Sequence, residues 1–170
     1  MSDTISFTQT AGIATLTFNN PQRRNALGAA ELDAIESGLS SLGENARALL
    51  ITSSDDRVFC AGADLTQILD GSLSGDRFQS VTNKIAALPI PSVAALSGNV
   101  FGGGAELALS CDFRLAREDI VLRIPAAAIG LCYPVEGIER ITRRLGPSMA
   151  RRLLVAAETF SAEQMLALGI

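Results

Sequence analysis

The residues of this chain that could do chemistry are carboxylates and backbone amides. The stretch Ser97-Gly98-Asn99-Val100-Phe101-Gly102-Gly103-Gly104-Ala105-Glu106 joins a mostly apolar run, Ser92 to Leu96, to an apolar, helix-compatible run, Ala105 to Cys111. Three adjacent glycines at a strand-to-helix turn bring the backbone close to a ligand, and the first N–H groups of the helix point outward unpaired. Backed by the positive end of the helix dipole, such donors suit an anion or an oxygen that becomes negative during a reaction. Glu106 stands just inside that helix, near whatever the loop holds. A second donor loop lies at Cys60 to Leu65. The chain has no histidine, which excludes Ser-His-Asp and Cys-His nucleophilic sites and imidazole metal sites. Proton transfer therefore falls to carboxylates, the single Tyr133, Lys84 or cysteine.

The three cysteines, Cys60, Cys111 and Cys132, are odd in number, widely spaced and without a CxxC. That suits a reducing compartment, here a cytoplasmic one, makes a cysteine zinc site a poor fit, and reads the thiols as small apolar fillers. No metal is expected. The chain has 170 residues, 48% hydrophobic and 19% charged, which is enough for one globular domain spanning 1–170 with its own core. A formal net charge of -4 argues against nucleic acid as a partner, so an anionic ligand would need local positive charge. Met1 to Thr10 lacks the basic-then-apolar pattern of a secretion signal, and no apolar run approaches a membrane span.

Ile5 to Gln9 and Ile13 to Asn19 alternate apolar and polar around Ala11-Gly12, a β-hairpin. Asn20-Pro21 ends the second strand. A helix is expected from Leu27 to Leu42, with Leu32, Ile35, Leu39 and Leu42 as its buried stripe and Gly43 as its end. Arg47 to Thr52 reads as a buried strand, Ser53 to Gly62 as a loop, and Asp64 as the N-cap of a short helix. Ser74 to Leu88 is amphipathic and stops at Pro89 and Pro91. After the glycine loop, Asp112 to Ala116 and Ile120 to Ile124 read as strands and Pro125 to Pro134 as irregular. Helices follow from Val135 to Leu145, from Pro147 to about Ala157, and from a capping box at Ser161 to Gly169. The order of strands and helices makes the chain α/β.

With these elements set out, the sequence resembles the enoyl-CoA hydratase/isomerase (crotonase) superfamily. Four motifs carry the resemblance, in family order across nearly the whole chain: Asn20-Pro21 with Asn25-Ala26-Leu27; Phe59-Cys60-Ala61-Gly62-Ala63-Asp64-Leu65; Gly102-Gly103-Gly104-Ala105-Glu106-Leu107-Ala108 with Cys111-Asp112; and Pro125 with Gly130-Leu131. The resemblance implies a crotonase/ClpP-like spiral of ββα units, apparently lacking the usual C-terminal helices. It implies a homotrimer or hexamer, a coenzyme A thioester as substrate with no further cofactor, and an oxyanion hole from the N–H groups of Ala63 and Gly103. Asn25, Ala26, Ala61, Gly62, Asp64, Leu65 and Gly102 would bind the substrate, and Arg23 and Arg24 could meet its phosphates.

Glu106 matches one of two catalytic glutamates of the hydratases. The second follows a proline in the later loop, where this chain has Ala126 after Pro125. Hydration wants two carboxylates, each acid–base role being worth roughly a hundred- to ten-thousand-fold. Glu136 is the candidate substitute. The expected function is an acyl-CoA enzyme of hydratase or isomerase type working through an enolate-like intermediate. The alternative is a catalytically degenerate protein of the same fold that binds acyl-CoA or a partner subunit. A dinucleotide site fits poorly, because Leu107 occupies the last glycine position of a pattern starting at Gly102. Plainer roles stand beside the chemical ones: Glu106 as a first-turn charge, the glycines as tight packing, Tyr133 as a pocket hydroxyl or a packed ring, and Arg140, Arg143, Arg144, Arg151 and Arg152 as a solvated or subunit-facing surface.

Overall fold

The computed structural model describes residues 3–170; Met1 and Ser2, part of the N-terminal stretch read above, lie outside the described residues. Strands β1 (Ile5–Thr10) and β2 (Ile13–Phe18) form the expected hairpin. Ala11 and Gly12 both take positive φ at its turn, the geometry whose twist matches paired strands. β2 pairs in parallel with β4 (Ala48–Ser53), β4 with β7 (Ser92–Leu96), and β7 with β9 (Phe113–Ala116). The resulting five-stranded sheet buries Ala14, Leu16, Phe18, Leu49, Ile51, Ala94 and Leu96 on one face, as strand alternation requires.

Smaller strands make the second layer. β5 (Val58–Cys60), β8 (Asn99–Phe101) and β10 (Val121–Arg123) run parallel, and β11 (Thr159–Ser161) closes that sheet antiparallel to β10. A two-residue parallel pair joins β3 (Ala26–Leu27) to β6 (Gly62–Ala63). Each turn of the chain thus gives a strand to the large sheet, one to a smaller sheet, and then a helix. The helices are α1 (Ala29–Ser40), α2 (Leu65–Leu69), α3 (Gly75–Ala86), α4 (Gly103–Ser110), α5 (Val135–Leu154) and α6 (Ala162–Leu168). This is the ββα spiral.

Several boundaries differ from the expectation. Leu27 belongs to β3, so α1 starts at Ala29, while Leu32, Ile35 and Leu39 are buried as its stripe predicts. Residues read as loop, Ser53 to Gly62, contain β5 and the start of β6. These strands are too short to carry a period of their own and exist because partners elsewhere pair with them. The helix stop expected at Gly146 does stand: that residue takes φ 80 and ψ 161, and the helices on either side of it adjoin across the kink as the single element α5. α4 begins at Gly103, and all of its residues from Gly104 to Ser110 are buried. No helix of the described residues is long and apolar enough to cross a membrane.

Candidate active site

Three parallel strands of the smaller sheet end side by side, and the chain leaving each builds the site. After β5 comes Ala61 to Asp64, after β8 Gly102, and after β10 the segment Pro125 to Pro134. Ligands of parallel sheets gather at this carboxyl end, because the helices that follow present their N-termini there. A cavity of about 250 Å³ lies there, with Ala61, Ala63, Leu65, Gly102, Gly103 and Glu106 in its wall. Phe78 of α3 and Ala126, Leu131, Cys132 and Tyr133 of the later loop complete it.

Close packing holds the two donor loops together. A Cβ placed on Gly62, whose φ is +89, would stand 2.4 Å from the Gly103 nitrogen, and one on Gly104 would stand 2.4 Å from the Cys60 carbonyl oxygen. Only glycine fits at either position. Bond lengths alone then keep the Ala63 and Gly103 nitrogens within about 6 Å of each other. The Asp64 N–H donates to the Leu27 carbonyl at 2.9 Å, so alternation along the strand turns the Ala63 N–H away from β3. Gly103 is the first residue of α4, and its N–H has no acceptor within the helix.

Glu106 is 1% exposed and has four side-chain donors. Its Oε1 accepts from Arg140 at 2.6 Å, Gln79 Nε2 at 2.8 Å and Thr82 Oγ1 at 3.4 Å, and its Oε2 accepts from the Tyr133 hydroxyl at 2.7 Å. Burial, then the Glu106 charge beside it, pushes the Tyr133 phenol well above its ordinary value, so it rests as a donor. Gln79 Oε1 is buried without a donor among the described residues.

The structure separates the remaining candidates from this cluster. Glu136 is exposed, accepts from Asn83 Nδ2 at 2.6 Å and does not line the cavity, so it stands apart from Glu106. Asp64 is the N-cap of α2, accepting from the Thr66 N–H at 3.0 Å and from Arg23 at 2.5 Å. Asn25, at φ 54, is 1% exposed and donates to Ser53 Oγ and the carbonyls of Val58 and Phe59 while accepting from the Asn20 N–H. It thus ties the first motif to β5 from behind the cavity, and Ala26 and Gly62 beside it pair β3 with β6. Cys60 and Cys111 are buried, which raises both thiols to about 12, whereas Cys132 is exposed in the cavity wall and is no filler. The arginines of α5 are not one solvated surface: Arg140 turns in to Glu106, and Arg144 donates to the Cys111 carbonyl. That inward turn was the functional feature missing from the sequence reading. Gly137, Arg140, Ile141 and Arg144 stand three, four and seven apart on one helical face, and the burial of Gly137 and Ile141 is the signal that carries the arginines inward. Among the described residues no group of three or more potential metal ligands occurs.

The profile of the family described as "Enoyl-CoA hydratase/isomerase" matches residues 8–170. The bovine (Bos taurus) mitochondrial protein named enoyl-CoA hydratase domain-containing protein 2 is 37% identical over 166 residues, covering 94% of this chain and 56% of that one. The crotonyl-CoA hydratase of Syntrophomonas wolfei subsp. wolfei is 32% identical over 165 residues, covering 93% of this chain and 64% of that one. The crystal structure of the enoyl-CoA hydratase from Bacillus anthracis superposes with a TM-score of 0.91 at 27% identity, covering 98% of this chain and 68% of that one. The chain therefore spans little more than half the length of the bovine relative. With its motifs in order, its ββα spiral and a family profile matched along nearly its whole length, the chain belongs to the enoyl-CoA hydratase/isomerase family.

Proposed function

We propose that the cavity receives the acyl end of a coenzyme A thioester and that the N–H groups of Ala63 and Gly103 stabilise the negative charge forming on its carbonyl oxygen. The observation that carries this reading is the meeting of two amide-bearing turns, from separate turns of the spiral, at one cavity with Glu106 in its wall. Loss of a proton next to a thioester carbonyl moves an electron pair toward that oxygen. Each preorganised donor is worth about a hundred- to a thousand-fold in rate. Ala61, Leu65 and Gly102 shape the wall around the thioester, Asn25 and Asp64 fix the loops that do so, and exposed Arg24 is available to the phosphates. No cofactor beyond the thioester is required, and assembly as a homotrimer or hexamer is part of the same proposal.

The reaction favoured is the movement of a single proton, as in double-bond isomerisation, rather than addition of water. Ala126 lines the cavity with a methyl group where the hydratase pattern has a carboxylate, and Glu136 is bonded to Asn83 instead. A second reading, an acyl-CoA binder without turnover, draws on the pairing of Glu106 with Arg140. Calorimetry with butyryl-CoA and exchange of its α-hydrogens in D2O test both. Binding with exchange supports the enzyme, binding without exchange supports the binder, and no binding refutes the thioester site.

A further inference from the structure

The carboxylate of Glu106 does not face the cavity freely. Oε1 carries three donors, and Oε2 is met by the Tyr133 hydroxyl at 2.7 Å. Gly137 closes another side: a Cβ built there would stand 3.0 Å from both carboxylate oxygens and 2.7 Å from the Tyr133 ring, leaving no room for a substrate carbon. Tyr133 is both a wall of the cavity and the neighbour of Oε2. Resting on the thioester reading above, we infer that Tyr133 exchanges the proton with the acyl carbon and that Glu106 is the base behind it.

The step balances within these residues. The carbon–hydrogen bond breaks and its electron pair moves into the thioester, onto the oxygen facing Ala63 and Gly103. The phenol oxygen takes the released proton while its own proton passes to Glu106 Oε2. The phenol ends neutral and Glu106 ends as a carboxylic acid whose O–H donates back along the same 2.7 Å contact. Oε1, occupied by Arg140, Gln79 and Thr82 as donors, cannot take the proton, so its destination is fixed. Reversal returns a proton to the same carbon or to the far end of the displaced double bond. One tyrosine bound to a carboxylate thus does the work of the second glutamate that position 126 lacks. Burial and the adjacent Glu106 charge keep the phenol protonated until substrate arrives, while Arg140 holds Glu106 in place.

The composition makes the test clean. The chain has one tyrosine and no tryptophan, so tyrosinate absorbance reports Tyr133 alone and biosynthetic fluorotyrosine alters that phenol alone. The assay is α-hydrogen exchange of butyryl-CoA in D2O, with calorimetric binding alongside. Tyr133→Phe and Glu106→Gln are each expected to lose about a hundred-fold or more of the exchange rate while binding the thioester within a few-fold of the parent. Fluorotyrosine, whose more acidic phenol gives its proton to Glu106 more readily and holds one from carbon less tightly, is expected to change the exchange profile several-fold in rate near neutral pH, which a merely packed ring would not do. If Tyr133→Phe fails to fold, the fluorinated protein decides. Binding with undiminished exchange in Tyr133→Phe, a profile unmoved by fluorination, or binding with no exchange in the parent each overturns the inference and leaves the thioester site standing. Absence of binding in the parent removes both.

Discussion

Replacing Arg140 by methionine probes the site without touching the cavity wall. Arg140 reaches Glu106 Oε1 at 2.6 Å, with side chains 12% and 2% exposed. Methionine keeps most of the aliphatic stem and removes the charge, leaving a buried carboxylate with Gln79, Thr82 and Tyr133 as its side-chain donors among the described residues. Unit charges about 4 Å apart at an effective dielectric near 20 interact by about 4 kcal/mol. Removing one partner of a buried pair costs about 3–5 kcal/mol in measured cases. The same arginine also donates to Asn83 and Thr82, so Arg140→Met should cost at least 3 kcal/mol, about the lower end of that range, out of a total stability of about 5–15 kcal/mol. Urea unfolding monitored by far-UV circular dichroism measures it. The companion variant Glu106→Gln/Arg140→Met removes both charges and should recover about 1–3 kcal/mol of the loss, because a neutral amide leaves no unpaired charge. A loss below about 1 kcal/mol for the single variant, or a double variant no more stable than the single, would refute the assignment of this pair as a buried ionic contact.

Gly104→Ala should destabilise by about 1–3 kcal/mol and abolish thioester binding, since its Cβ would meet the Cys60 backbone oxygen, which cannot rotate away; thermal melts and calorimetry read both. Asn25→Ala should cost about 3 kcal/mol, because it strips the acceptor from the Asn20 N–H and a donor from each of the Val58 and Phe59 carbonyls, and hydrogen exchange at β5 should rise with it. Glu36 is held down at about 2, first by hydrogen bonding from Arg77 and then from Lys84. A depressed carboxylate contributes stability that is present above its unfolded value, about 4.3, and is lost as pH falls toward about 2. With 20% of that side chain exposed, the contribution is about 1 kcal/mol after solvent screening, and Glu36→Gln should show an acid limb shallower by that amount when urea midpoints at about pH 6 and about pH 3 are compared.

What the sequence made legible was local. The hairpin turn at Ala11-Gly12, the Leu32-Ile35-Leu39 stripe, the proline stop after α3 and the capping box at Ser161 each rest on residues within one turn or one helix, and each stands in the structure. The glycine loop and Glu106 were legible because their chemistry is written in adjacent positions. Strands β3, β5, β6, β8 and β11 were not, since two or three residues hold no period and their partners lie elsewhere in the chain. Nor was the pairing of Glu106 with Arg140 and Tyr133, which depends on how the irregular loop brings α5 back over α4. Position 126 showed what was absent from the wall, while the contact of Tyr133 with Glu106, from seven residues further on, is visible only in the fold.

The spiral's way of pooling its strand ends has a bearing on the order of assembly. Glu106 is bonded to Gln79, 27 residues earlier, and to Arg140, 34 residues later. Each turn of chain contributes one wall and none encloses a space by itself. A nascent polypeptide that has just released Glu106 from the ribosome has not yet made Arg140, and that acid has no counter-ion until α5 arrives. The cavity is therefore completed late, and long loop closures of this kind set a slow pace for it.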